Sequence, residues 1–177
     1  MPSKYRYHTY WLWLPLMVWL LSGCGLTQSV KKGTANAAHA IFYKKVDTFH
    51  LQLVARAALN SDDADMASPV EVRVWPLRNS AAFDQATYSA LLKQSASALG
   101  NDLSGNPVTV RVMPGHSVTV EVPLAEDVQA VAIAAFFLHP DMQRNDWRAV
   151  IPRNEMDAYN PTVMELNNRT LQRQGNP

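Results

Sequence analysis

Thr48-Phe49-His50-Leu51-Gln52-Leu53-Val54-Ala55-Arg56-Ala57-Ala58-Leu59 alternates with period two. Phe49, Leu51, Leu53, Ala55, Ala57 and Leu59 fall on one side, while Thr48, His50, Gln52 and Arg56 fall on the other. Successive side chains of a strand point to opposite faces, so this spacing predicts a long strand with one face in a core and one in water. His50 belongs to the polar face and reads as a solvent-facing histidine rather than a ligand.

Outward from this strand the same period returns. Asn60-Ser61-Asp62-Asp63-Ala64-Asp65-Met66-Ala67-Ser68-Pro69 is a turn-forming loop with three carboxylates and one methionine. Val70, Val72 and Val74 then alternate with Glu71, Arg73 and Trp75, which predicts a second strand that Pro76 closes or marks as an edge. Tyr88, Leu91, Leu92, Ser95 and Leu99 follow a helical period, with Asp84 as the expected cap and Gly100 as the stop. Val108, Val110 and Val112, then Met113-Pro114-Gly115-His116, then Val118, Val120 and Val122 read as a hairpin. Val128 to Leu138 is apolar apart from Gln129 and suits a central strand buried on both faces. A polar loop runs from His139 to Asp146. Trp147 to Ile151 is expected as a short strand, and Val163 to Leu171 as a last small hairpin. Six or seven strands with one or two inserted helices predict a mainly β protein, a β-sandwich.

Upstream the chain is of another kind. Lys4 and Arg6 precede an apolar run from Trp11 to Leu21, and no acidic residue occurs before Cys24. The run is about a dozen residues, the length of a signal h-region, whereas a spanning helix needs roughly 20. Leu21-Ser22-Gly23-Cys24 matches the bacterial lipoprotein cleavage pattern at each position and holds the single cysteine of the 177 residues. Cys24 is then the acylated first residue of the mature chain, with Leu21, Ser22 and Gly23 as the cleavage motif. An uncleaved anchor and an ordinary signal peptide are the alternatives. Gly25 follows the cysteine, where an aspartate would favour the inner membrane, so the resemblance implies outer-membrane sorting. Each buried CH₂ of the acyl chains contributes about 0.8 kcal/mol, enough in sum for permanent attachment. Residues 1–23 are thus read as signal, 24–45 as lipidated N-terminus and flexible tether, and 46–177 as the periplasmic domain.

Cleavage removes two of the 16 basic residues and none of the 15 acidic ones, so the net charge moves from +1 to −1. That balance argues against nucleic acid, which needs a basic face. Enzyme chemistry finds no footing either. The five histidines, His8, His39, His50, His116 and His139, show no metal-ligand spacing. There is no Gly-x-Ser-x-Gly elbow and no glycine-rich phosphate loop. Asp62, Asp63 and Asp65 form only a partial calcium set, without the glycine and downstream glutamate of an EF-hand. Trp75 and Trp147 read as core rather than as a carbohydrate platform. The expectation is a protein that is not an enzyme, with no cofactor beyond the covalent lipid and no metal.

The order of features resembles the type VI secretion outer-membrane lipoprotein family, TssJ (also called SciN). Ala58-Leu59-Asn60 before an acidic turn, Ser68-Pro69-Val70-Glu71-Val72-Arg73-Val74-Trp75-Pro76-Leu77, and the helix positions Phe83, Tyr88 and Leu91 carry the likeness. Leu103, Pro114-Gly115, Val131 to Phe136 and Trp147-Arg148 continue it, so it spans roughly Phe49 to Leu171. Ser61 departs from the family's usual proline, Trp75 from a tyrosine, and Pro76 from a polar residue. The resemblance implies a transthyretin-like two-sheet sandwich on the periplasmic face of the outer membrane. It also implies a partner, the periplasmic C-terminal region of TssM, within a membrane complex of TssJ, TssL and TssM. Its main contact is the loop between the first two strands, here Asn60, Ser61, Asp62, Asp63, Asp65 and Met66. Clustered aspartates would steer a basic surface, and Met66 would supply an adaptable apolar contact. Two alternatives stay open: the acidic loop only keeps a sheet end soluble, or the sandwich is a ligand- or peptidoglycan-binding lipoprotein. Mass spectrometry of the membrane fraction should show an acylated Cys24 as the first residue; an intact Met1 with a free thiol would exclude lipidation.

Overall fold

The alternation that begins at Thr48 folds as β1 (Thr48–Ala55), the first of eight strands in a computed structural model that describes residues 46–175. Leu21, Ser22, Gly23, Cys24 and the tether up to residue 45 lie outside the described residues. The strands β2 (Val70–Leu77), β3 (Val108–Val112), β4 (Ser117–Pro123), β5 (Ala130–Phe136), β6 (Arg148–Pro152), β7 (Thr162–Leu166) and β8 (Leu171–Arg173) complete two sheets. One is ordered β4-β1-β7-β8 and the other β3-β2-β5-β6. β1 runs antiparallel to β4 and parallel to β7; the second sheet is antiparallel throughout. Phe49, Leu51 and Leu53 share one buried cluster with Val70, Val72, Val74, Ile133, Met164 and Leu166, the filling between the sheets.

A third layer covers the second sheet. All seven residues of β5 are buried, which requires cover on both faces. Ala130, Ala132 and Ala134 stand opposite Leu77, Trp75 and Arg73 in the register. Their small side chains let two helices, α1 (Ala81–Gln85) and α2 (Tyr88–Leu99), approach the sheet. Trp75 meets Phe83 with ring centroids 5.8 Å apart, and Tyr88 packs edge-on to Phe136 and Trp147 at 5.4 and 4.9 Å. The Tyr88 hydroxyl donates to the Phe137 carbonyl at 2.6 Å, and burial pushes its pKa up to about 12, so it stays neutral. Two arginines tie the helices to the strands. Arg73 donates to the carbonyls of Leu91 and Leu92. Arg148 donates to those of Phe83, Asp84 and Ala86 at the end of the short helix, where the Phe83 carbonyl also accepts from Ala86 N–H.

Four expectations change. β1 ends at Ala55, and Ala57 is exposed in the turn that follows, although Leu59 is buried again. β3 and β4 do not pair: β3 borders β2 and β4 borders β1, in different sheets. Backbone bonds explain this, since Gly115 N–H donates to the Arg56 carbonyl and Ala55 N–H to the His116 carbonyl. The four-residue turn therefore carries the chain across the sandwich, and alternating valines fit such an arch as well as a hairpin. Thr87, not Asp84, caps the longer helix by accepting from Ala90 N–H, because the chain breaks into two helices before it. Pro76 does not close β2. Its carbonyl accepts from Ser104 on the side that β3 no longer reaches, so the missing N–H leaves no ladder bond unmade.

At the end of β1 the Arg56 guanidinium grips Glu165 of β7 with two bonds of 2.8 and 2.9 Å, and Gln174 adds a third at 2.9 Å. These bonds hold the Glu165 carboxyl down at about 2, from an ordinary value of 4.5. The unfolded chain takes up this proton more readily than the folded one, so the stabilisation is complete above about 4.5 and is lost as pH falls through about 2. Glu165→Gln should therefore lower the melting temperature at neutral pH and flatten its decline between pH 4.5 and 2, as read by circular-dichroism melts. An unchanged acid profile would show that the pair is not the titrating element.

Candidate functional site: the loop end of the sandwich

Strand register gathers four connections at one end of the domain. Val70 pairs with Val112, Glu71 with Phe136, Val54 with Ser117 and Ala55 with Leu166. The 56–69 loop, the 113–116 turn, the 137–147 loop and the 167–170 turn therefore leave the sheets side by side. The described chain begins at Val46, at the opposite end.

Asn60 builds this cluster. It is buried and takes a left-handed backbone, φ 48°, that asparagine tolerates better than most residues. Its side-chain amide donates to Ser68 Oγ and the Pro69 carbonyl, both at 3.0 Å, while its Oδ1 accepts from Leu138 N–H at 2.7 Å. One side chain thus joins the two ends of the first loop to the start of the 137–147 loop. Its own N–H donates to the Asn168 carbonyl, and Ser61 N–H donates to Asn168 Oδ1 at 2.7 Å. Ser61 is buried as well. Asn60 and Ser61, expected as contact residues, thus lie beneath the surface and shape it.

Asp62 is intermediate between frame and surface. Its Oδ1 accepts from Ala64 N–H and Met66 N–H, both at 2.9 Å, which folds the tip back on itself. Asp63, Asp65 and Met66 then form the exposed tip, with Asp65 at φ 57°. His139 on the neighbouring loop places Nε2 3.5 Å from Asp63 Oδ1. The tip carries charge from Asp63 and Asp65 that no basic side chain within the loop offsets.

Apolar exposure concentrates at the same end. Met66 is 66% exposed, Leu138 56%, Met142 52% and Met113 47%, each on one of these loops. Tyr159 is the one other large hydrophobic so exposed among the described residues, and it lies at the far end. A local group of such side chains with an acidic edge is what protein contacts use. Leu138, Met142 and Met113 escaped the sequence reading, although Met142 stands out between Asp141 and Gln143. Their common position depends on strand order, which alternation does not encode. Among the described residues no three histidine, cysteine, aspartate or glutamate side chains form a cation site, and no helix is long and apolar enough to cross a membrane.

The family model of type VI secretion lipoproteins (T6SS-SciN; VasD, EvfM, TssJ) matches residues 47–169. Among solved structures, the chain is similar to one in the structure of the TssM C-terminal domain from EAEC. That likeness has 34% identity and a TM-score of 0.67, over 72% of this chain and 98% of that one. It is also similar to a chain in a type VI membrane complex, at 34% identity and a TM-score of 0.69, over 73% and 99% of the two chains. The lipoprotein TssJ1 from Pseudomonas aeruginosa is 25% identical, with a TM-score of 0.59 over 73% of this chain and 98% of that one. A comparison with curated proteins returned no match. A family match across both sheets and the helical layer, with two solved relatives at 34% identity, places the chain in the type VI secretion lipoprotein family that contains TssJ.

Proposed function

We propose that this protein is a scaffold without catalytic activity, acylated at Cys24 on the periplasmic face of the outer membrane. Through its loop end it binds the periplasmic C-terminal region of TssM, and through TssM it joins TssL in the membrane complex. One observation carries the reading: a chain 34% identical, aligned over 98% of its length, belongs to a solved structure of the TssM C-terminal domain. The geometry supports it. The acidic, methionine-bearing tip and the exposed Leu138 and Met142 sit on loops locked together through Asn60, so a partner meets a surface ordered in advance. The described domain begins at Val46, at the end opposite these loops.

Replacing Asp63 with Lys and Asp65 with Asn (asparagine keeps the left-handed backbone available) reverses the charge of the tip without touching Asp62. The complex with the TssM region should weaken roughly tenfold, mainly through slower and less salt-dependent association. Equal affinity would remove the acidic tip from the contact. Asn60→Ala acts from beneath: it should lower stability by about 1 to 3 kcal/mol, the cost of stranding buried polar groups, and should weaken the complex as well. Envelope pull-downs on the full chain separate this reading from a cell-wall lipoprotein, since peptidoglycan co-sedimentation without a large inner-membrane partner would overturn it.

A further inference from the structure

The methionines of this chain divide sharply. Met1 and Met17 precede Cys24 and would leave with the proposed signal. Of the five that remain, Met156 and Met164 are 8% and 0% exposed, in the body of the sandwich. Met66, Met113 and Met142 are all open to solvent, and all three stand at the loop end. Cys24 is the single cysteine, and the proposed acylation there would leave no thiol in the mature chain to intercept an oxidant. Its accessible reducing sulfur is then confined to the surface assigned above to the partner.

We propose that Met66, Met113 and Met142 form an oxidation-sensitive docking face, at which peroxides convert thioethers to sulfoxides and so release the partner. This rests on the docking reading of the loop end. In the step, a sulfur lone pair attacks one oxygen of hydrogen peroxide, and the S–O bond forms as the O–O bond breaks. The proton on the transferred oxygen passes to the departing hydroxide, and one water leaves. Sulfur gives up two electrons and the peroxide accepts them. A flexible apolar side chain becomes a strong hydrogen-bond acceptor. Inside a contact shaped around thioethers that oxygen finds no donor, and burying it unpaired is costly. The core sulfurs are out of reach, so the fold survives while the contact fails. A methionine sulfoxide reductase working on the exposed loops would reverse the change.

The test uses the full acylated chain in detergent, hydrogen peroxide as oxidant and the TssM periplasmic C-terminal region as binding probe. Peptide mass spectrometry should find one added oxygen on Met66, Met113 and Met142 well before Met156 or Met164. Affinity for the probe should fall roughly tenfold with circular dichroism unchanged, and reductase treatment should restore it. In the Met66→Leu, Met113→Leu, Met142→Leu chain, whatever its starting affinity, the same treatment should change binding by less than about twofold. Equal oxidation of buried and exposed methionines would overturn the proposal, as would full oxidation of the three with affinity retained. An untreated chain that never binds the probe would instead overturn the docking reading, and this proposal with it.

Discussion

A strand that is apolar on both faces cannot stop at one partner sheet, and β5 sets that demand for the whole domain. Its inner residues, Val131 and Ile133, are covered by the sheet around β1; its outer alanines need a second cover. Alanine at 130, 132 and 134 decides what kind. Small side chains bring a helix close, and Trp75, Phe83, Tyr88 and Trp147 fill what space remains. The chain between β2 and β3 therefore becomes helical where a plain sandwich would have a short turn. Arg73 and Arg148 secure the arrangement by donating from the strands to carbonyls of the two helices and their ends. No such pressure exists on the outer face of the sheet around β1, where His50 and Gln52 of β1 and Glu121 of β4 meet water.

With one face under helices and the other polar, the candidate surface falls to the strand ends. There the determining residue is Asn60, whose amide has a donor and an acceptor to place within one buried pocket. Aspartate would keep the acceptor and lose the donors to Ser68 and Pro69; leucine would lose both. The exposed tip is small, but it stands on a network that reaches Leu138 and Asn168. Order in the loop thus comes from bonds beneath it rather than from regular structure within it.

Much of this was legible in the chain itself. Period-two runs at Phe49, Val70, Val108 and Val118 marked their strands, and the unbroken apolar run after Val128 marked the doubly covered one. What alternation could not supply was pairing. Valines at 108, 110 and 112 and at 118, 120 and 122 face the same core from different sheets, and a four-residue turn serves either topology. The same gap hid the candidate surface. Asp63, Asp65 and Met66 could be picked out as an unusual loop. Leu138, Met142 and Met113 become relevant only once the register sets their loops beside it. Conversely, Asn60 and Ser61 look like loop surface in sequence, yet bonds to the distant Asn168 take them inside.

The two ends of the domain also bear on how it would carry load. Under the proposed attachment at Cys24 and the proposed docking at the loops, tension would enter the described domain at Val46 and pass along β1. At the first point the Arg153 guanidinium holds the Val46 carbonyl at 2.7 Å together with those of Ala125 and Val128. Further along, β1 is bonded on both sides, to β4 and to β7, and at its far end Ala55 and Arg56 donate to His116 and Leu166. Ladder bonds lie across the strand direction, so a pull along β1 loads them together rather than one after another. A central strand between two partners resists such shear better than an edge strand, which would peel. The placement of β1 inside its sheet suits the load that the proposed anchoring and docking would apply.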